Sequence, residues 1–193
     1  MPPVAQASLK PELNSTTTHI HQIYIKAEPG VIWDHITSPE WNGKYGYRCT
    51  SHYELKPGGK FRAVTNEQMR SFGLPEVGID GEVIEVKPPF KLVQTYRFLF
   101  NEEHRKEGFT RISFEIEQTP GGFCRLTITH DTTGAPMMDR ATKSNFSTDG
   151  GGGWDWILSD LKSLLETGHV LPRAPWEMHA ELRAAQMARN DGS

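Results

Sequence analysis

GGGGWDWILSDLKSLLETG, residues 150–168, is the stretch whose reading decides the fold. Trp154, Ile157, Leu158, Leu161, Leu164 and Leu165 fall at i, i+3, i+4, i+7, i+10 and i+11, one apolar stripe at helical period. Asp155, Ser159, Lys162 and Glu166 take the opposite face. Asp155 in the first turn suits the positive helix end, and Gly168 stands where a left-handed C-cap closes a helix. About fourteen residues at ~1.5 Å each make a rod roughly 20 Å long. Such a stripe must lie on something. The glycines before Trp154 read as a flexible approach loop, because a phosphate-cradling loop needs a preceding strand and a Lys-Ser/Thr ending that are not there.

Upstream the period changes to two, and a sheet emerges. His19 to Lys26 alternates, with Ile23 and Ile25 on one side. Pro29 opens a short helix that buries Ile32, Trp33 and Ile36, and Ser38-Pro39 ends it before a turn of helix near Glu40 to Gly43. Tyr45 to Leu55 reads as a strand with Tyr47, Cys49, Tyr53 and Leu55 on one face. Lys56-Pro-Gly-Gly turns it into a return strand, Lys60 to Thr65, where Phe61 and Ala63 share parity. Gly78 to Lys87, Lys91 to Phe100, Thr110 to Gln118 and Arg125 to Asp131 are further strands. Leu92, Gln94, Tyr96, Phe98 and Phe100 share one face; Ile112, Phe114 and Ile116 point inward, as do Leu126, Ile128 and His130. Asn101 to Gly108 is a charged loop. The stretches 66–77 and 134–149 carry Met69, Phe72, Met137, Met138 and Phe146 without a period, as covers over a pocket mouth do.

Composition bounds the rest. Residues 1–18 form a flexible polar arm with Pro2, Pro3 and Pro11; 19–170 is the folded domain; 171–193 is a helical extension. Within that extension, Trp176, Ala180 and Met187 make a stripe too thin to stand alone. It is expected to dock on its own domain or, in a homodimer, on a second subunit. A net charge of −3 leaves no footprint for nucleic acid or an anionic membrane surface. No apolar run approaches the ~20 residues of a membrane span, and no signal-peptide pattern opens the chain. Cys49 and Cys124 stand apart without metal-ligand spacing, which fits a reduced, cytoplasmic setting. His19 and His21 are the only tight histidine pair and need further ligands to hold a metal.

Four motifs stand in a telling order: AEPGVIWDHITSPEW (27–41), LKPGGKF (55–61), GEVIEVKPPFKLVQTYRF (81–98) and GGGWDWILSDLKSLLETG (151–168). Together they resemble the AHSA-type branch of START-like (SRPBCC) domains, the branch named for homology to the activator of the heat-shock-protein-90 ATPase. The resemblance spans about residues 19 to 170. It implies an α+β helix-grip (birch-pollen-allergen-like) fold, a curved antiparallel sheet wrapped on a long C-terminal helix. In that order the first strand separates the strands carrying Cys49 and Cys124, and two spacings of about 4.8 Å exceed disulfide reach. His35 and Ser38 depart from the pattern, which usually has a small residue and an Asp there.

The resemblance leaves function open, because relatives bind hydrophobic ligands, activate a chaperone, or cyclise and dehydrate polyketides on the same frame. Under this fold Trp33, Trp41, Tyr47, Tyr53, Phe61, Tyr96, Phe98, Phe114 and Trp154 converge on the concave face. Met69 and Phe72 join them from the covering loop, and His130 from a strand end. Plain core is the competing reading at each position; as a group, large aromatics with a few polar tips suit a small hydrophobic or aromatic ligand. His130 is either a hydrogen-bonded structural histidine or an acid or base. Parity does not decide whether Glu54, Glu82 or Glu85 faces inward. No Ser-His-Asp order, paired carboxylates or His/Cys cluster is readable, so no catalytic residue, metal or cofactor is assigned. Ligand binding is the expectation. The alternatives are a cofactor-independent cyclase or dehydratase and a co-chaperone or protein-interaction module.

Overall fold

The computed structural model describes residues 17–143 and 151–172. The strands are β1 (Thr18–Ile25), β2 (Thr50–Tyr53), β3 (Lys60–Val64), β4 (Val77–Lys87), β5 (Lys91–Phe98), β6 (Thr110–Gln118) and β7 (Cys124–Asp131). They pair antiparallel in one sheet of order β1-β7-β6-β5-β4-β3-β2. The helices are α1 (Pro29–Thr37), α2 (Pro39–Asn42), α3 (Glu67–Ser71), α4 (Glu102–Glu107), α5 (Pro136–Thr142) and α6 (Gly153–Thr167). This is the α+β helix-grip arrangement, a curved sheet holding a C-terminal helix. The expected tail helix over 176–189, Phe146 and the N-terminal arm up to residue 16 lie outside the described residues.

The register aligns inward side chains into rows. One row runs His19, His130, Ile112, Gln94, Val83 across β1, β7, β6, β5 and β4. Ile25, Val83, Leu92, Ile112 and Leu126 are sealed from solvent, while Ile20 and Tyr24 stand out on the far face of β1. The alternation read from sequence is therefore the pleat itself.

Onto this face α6 lays Leu158 and Leu161, both buried, flanked by Trp154, Ile157, Leu164 and Leu165. Burying each leucine stabilises the fold by roughly 1.5–3 kcal/mol. Gly168 closes the helix in the left-handed conformation at φ 77°, its N–H donating to the Leu164 carbonyl at 2.9 Å. The polar face ties the helix to β1. Lys162 Nζ donates to the Tyr24 carbonyl at 2.6 Å, and Glu166 accepts from the Lys26 N–H at 2.8 Å.

Several expectations are corrected. The strand expected from Tyr45 begins only at Thr50, because Gly46 at φ 60° and Arg48 at φ 56° turn the chain first. Leu55 consequently lies outside that strand and is 41% exposed. The three loops each hold a short helix set by capping rather than by period. Asn66 accepts from the Met69 N–H and Asn101 from the His104 N–H, both at 2.8 Å, and Glu107 accepts from the Met138 N–H of α5 at 3.0 Å. The cysteines are free, but for a different reason. β1 and β2 are opposite edges, so four strands, and not β1, separate β7 with Cys124 from β2, which Cys49 precedes.

Candidate functional site

Strand parity on β5 and β3 brings the predicted aromatics into one chain of contacts. Tyr53 stacks on Phe61 with ring centroids 4.7 Å apart, and Phe61 on Tyr96 at 6.0 Å. Tyr96 then meets Phe98 at 5.9 Å, His130 at 5.5 Å and Trp154 at 6.0 Å, and Phe114 meets Trp154 edge-on at 5.9 Å. Met69 on α3 is buried against Cys49, its Sδ 3.6 Å from Cys49 Sγ, without a ring partner among the described residues. Phe72 is 64% exposed at the end of α3. Trp33 is buried on α1 in the shared core, without a ring contact to this chain of aromatics among the described residues. Trp41 sits beside His35, with Lys44 Nζ 3.8 Å over its ring, and is not on the concave wall.

The polar tips along this wall are uncharged. Burial pushes the Tyr47 phenol up to about 12 and the Cys49 thiol up to about 11, and holds Tyr53 and Tyr96 above the ordinary phenol range. A thiol raised this way is no nucleophile at neutral pH. Tyr47 is tied down, its hydroxyl accepting from the Gly153 N–H at the start of α6 at 3.3 Å.

His130 is fully engaged. Trp154 Nε1–H donates to its Nδ1 at 3.2 Å, which places the ring proton on Nε2, 2.8 Å from Thr110 Oγ1. The Thr110 hydroxyl in turn donates to the Tyr96 carbonyl at 2.8 Å. Burial, with His19 and His21 nearby, lowers its pKa to about 4. A second proton would also put two N–H donors face to face at Trp154. His130 is thus a neutral structural residue at pH 7.

Gln94 is the contrast in the same row. It is sealed from solvent, and neither its amide nitrogen nor its amide oxygen has a hydrogen-bond partner within the protein. Its neighbours across the sheet, Val83 and Ile112, are apolar and offer none. The Tyr53 hydroxyl is close enough to engage the amide weakly, which offsets part of the rise in its own pKa, but neither amide atom has a well-formed hydrogen bond. Leaving such groups unpaired costs about 1–3 kcal/mol each.

Other acidic groups serve structure. Asp160 is sealed beneath α6, where it accepts from the Gly46 N–H at 2.7 Å and the Leu171 N–H at 2.6 Å and pairs with Arg48 at 3.2 Å. Gly46 is required there, since a Cβ would stand 3.2 Å from Ile157 at a φ of 60°. Glu54 and Glu82 are exposed, and Glu85 pairs with Lys87 and Lys91. His19 pairs with Asp139 at 2.6 Å and His21 with Asp155 at 2.7 Å, joining β1 to α5 and α6. Among the described residues no three of His, Cys, Asp and Glu form a metal-holding group, and no helix is long and apolar enough to cross a membrane.

The model of the family described as "Activator of Hsp90 ATPase homolog 1-like protein" matches residues 26–166. The chain belongs to this family. No curated protein matches it. Among solved structures, CalU16 from Micromonospora echinospora superposes with a TM-score of 0.56 at 15% identity, over 92% of this chain and 90% of that one. A Mesorhizobium loti protein gives 0.59 at 17%, over 80% and 100%. The Aha1 dimer from Colwellia psychrerythraea gives 0.52 at 20%, over 79% and 98%. At such identities the likeness is one of fold. Within this AHSA1-family chain, the two departures from the usual pattern are accommodated locally. His35 donates from Nδ1 to the Val31 carbonyl at 2.8 Å and packs on Trp41, while Ser38 caps α2, accepting from the Glu40 N–H at 3.4 Å.

Gln94 and Asp160 were not singled out by sequence. For Gln94 the signal was present: a carboxamide at an inward position between Leu92 and Tyr96. Asp160 carried no signal, since its partners arrive from Gly46, Arg48 and Leu171.

Proposed function

We infer that this chain binds a small, mainly apolar or aromatic molecule with a polar end, held between the concave face of the sheet and α6. The observation that carries this reading is Gln94, a buried carboxamide without a partner, set beside a wall of aromatic rings. A site built for recognition keeps such a group; a core built only for stability does better with an aliphatic side chain. Burial of ~250 Å² of ligand at about 25 cal/mol per Å² offers roughly 6 kcal/mol before association costs, which supports micromolar affinity. His130, neutral and doubly engaged, and Cys49, held as a thiol, favour binding over acid–base or nucleophilic chemistry. The folded domain is taken as residues 19–170, with arms on either side. The Colwellia relative is a dimer, and a homodimer through the C-terminal arm is proposed here on the same fold. The two free thiols fit a reducing cytoplasm.

Trp154 borders the site and reports on it. Titration with aromatic and fatty ligands is expected to change tryptophan fluorescence with micromolar midpoints, and Phe98→Trp, which crowds the wall, is expected to weaken the response. A response that survives Phe98→Trp unchanged would place the ligand elsewhere. No response to any ligand would move the reading to a protein-interaction module.

A further inference from the structure

The chemistry of Gln94 narrows the ligand class, and this step rests on the binding reading above. A carboxamide presents a donor and an acceptor side by side, pointing the same way. The partner that satisfies both at once has the reverse pair on one edge: a cis-amide, as in a lactam or a primary carboxamide. Polar groups that meet an unpaired buried partner discriminate sharply against analogues lacking the pair.

Charge selects further. The groups whose fields reach Tyr53 and Tyr96 are Cys49, Tyr45, Tyr47 and each other, all phenols or a thiol. The nearest imidazole, His130, already has both nitrogens engaged. A carboxylate head would lose its water without gaining a cation, and an ammonium head would find no carboxylate among these groups. Asp160, the buried carboxylate below, is spent on Arg48 and two backbone N–H groups.

Shape selects last. The rings of Tyr53, Phe61 and Tyr96 follow one another at 4.7 and 6.0 Å with interplanar angles of 28° and 20°. Tyr53 covers one face of Phe61, and a flat ring taking its place when Tyr53 moves aside would continue the same stack. Tyr53 lies on the edge strand β2, partly exposed, with its hydroxyl beside the sealed amide and only weakly engaged with it. A head group that swings Tyr53 aside gives up only its weak engagement with Gln94 and makes two hydrogen bonds in its place.

We propose that the site recognises a neutral, planar aromatic molecule bearing a cis-amide edge, a lactam or primary carboxamide, read by the paired donor and acceptor of Gln94 with Tyr53 as the displaceable cover.

The test uses the full chain in protein-observed NMR, with 2-quinolinone as the lactam, N-methyl-2-quinolinone as the same ring without the donor, naphthalene as the apolar ring and 2-naphthoate as the anion. Two bonds at a buried amide predict that 2-quinolinone binds about ten- to a hundredfold more tightly than the N-methyl analogue and naphthalene, with 2-naphthoate weakest. The Gln94 side-chain NH₂ signals move downfield, as hydrogen-bonded amide protons do, with 2-quinolinone and not with the N-methyl analogue or naphthalene. In Gln94→Leu, checked for retained fold by its amide spectrum, the preference for 2-quinolinone over naphthalene disappears. Equal binding of the lactam, its N-methyl analogue and naphthalene to the unmodified chain overturns the inference while leaving an apolar pocket in place. A preference that persists in Gln94→Leu overturns it as well. Should naphthalene and the lactam both fail to bind, the binding reading itself falls, and the inference with it. The ligand-side comparison decides even if Gln94→Leu does not fold.

Discussion

At the scale of the residue, His130 and Gln94 share one inward row and answer burial in opposite ways. His130 is satisfied by Trp154 and Thr110 and stays neutral, its pKa lowered from 6.5 to about 4. A base whose folded pKa lies below its unfolded value stabilises the fold above the unfolded value. That stability is lost as pH falls from about 6.5 towards about 4. Urea denaturation of the intact chain is therefore expected to lose about 2 kcal/mol between pH 7 and pH 5 on account of this residue. His130→Gln, less stable at pH 7, is expected to lose less over the same interval. An identical pH dependence in the two proteins would mean that His130 is not buried neutral. The carboxylates with lowered pKa, Asp131, Asp139, Glu85 and Glu166, titrate below this window and do not obscure it. Parity along β7 and β5 was enough to place both residues inward from sequence. What each would meet there was not legible, because hydrogen-bond partners come from α6 and a neighbouring strand. Twenty and twenty-four residues of separation leave no local trace.

At the scale of the element, α6 carries the fold. Leu161 is buried under it, whereas Lys162 is 43% exposed by side chain and pairs with Glu166. Leu161→Ala is expected to cost about 2–5 kcal/mol through the cavity it leaves. Lys162→Ala is expected to stay within about 1 kcal/mol, as exposed pairs do. Chemical denaturation of both variants decides it, and equal stabilities would contradict the packing described. The stripe, the first-turn acid and the glycine cap of α6 were all readable, because a fifteen-residue helix repeats its signal over four turns. The helices α3, α4 and α5 were not, because five to seven residues are too few to show a period. Their local signals were Asn66 and Asn101 as caps and Pro136 at a first turn. The late start of β2 is a tertiary effect as well. Asp160 takes the Gly46 N–H and the Arg48 guanidinium, which fixes a turn where alternation suggested a strand.

At the scale of the whole molecule, the AHSA-type motifs carried the fold class, and the order of strands was where the expectation went astray. Strands β2 to β7 pair each with the next along the chain, so their order is local information. The pairing of β1 with the last strand, β7, is not, and the reason given for free thiols failed with it even though the thiols are free. Strand parity accounts for the ring contacts of Tyr53, Phe61, Tyr96 and Phe98, whereas Phe72, just past α3, is exposed and Trp41 on α2 packs on His35. The wall, the unpaired amide and the neutral polar tips together make the central claim that the interior between sheet and α6 receives a small molecule. Native mass spectrometry of freshly purified protein, before and after adding a panel of neutral aromatic compounds, tests it most directly. The account predicts a non-covalent adduct of small-molecule mass, co-purified or added, that is lost on denaturation. A bare polypeptide mass in both conditions, with every compound at high micromolar concentration, would contradict it.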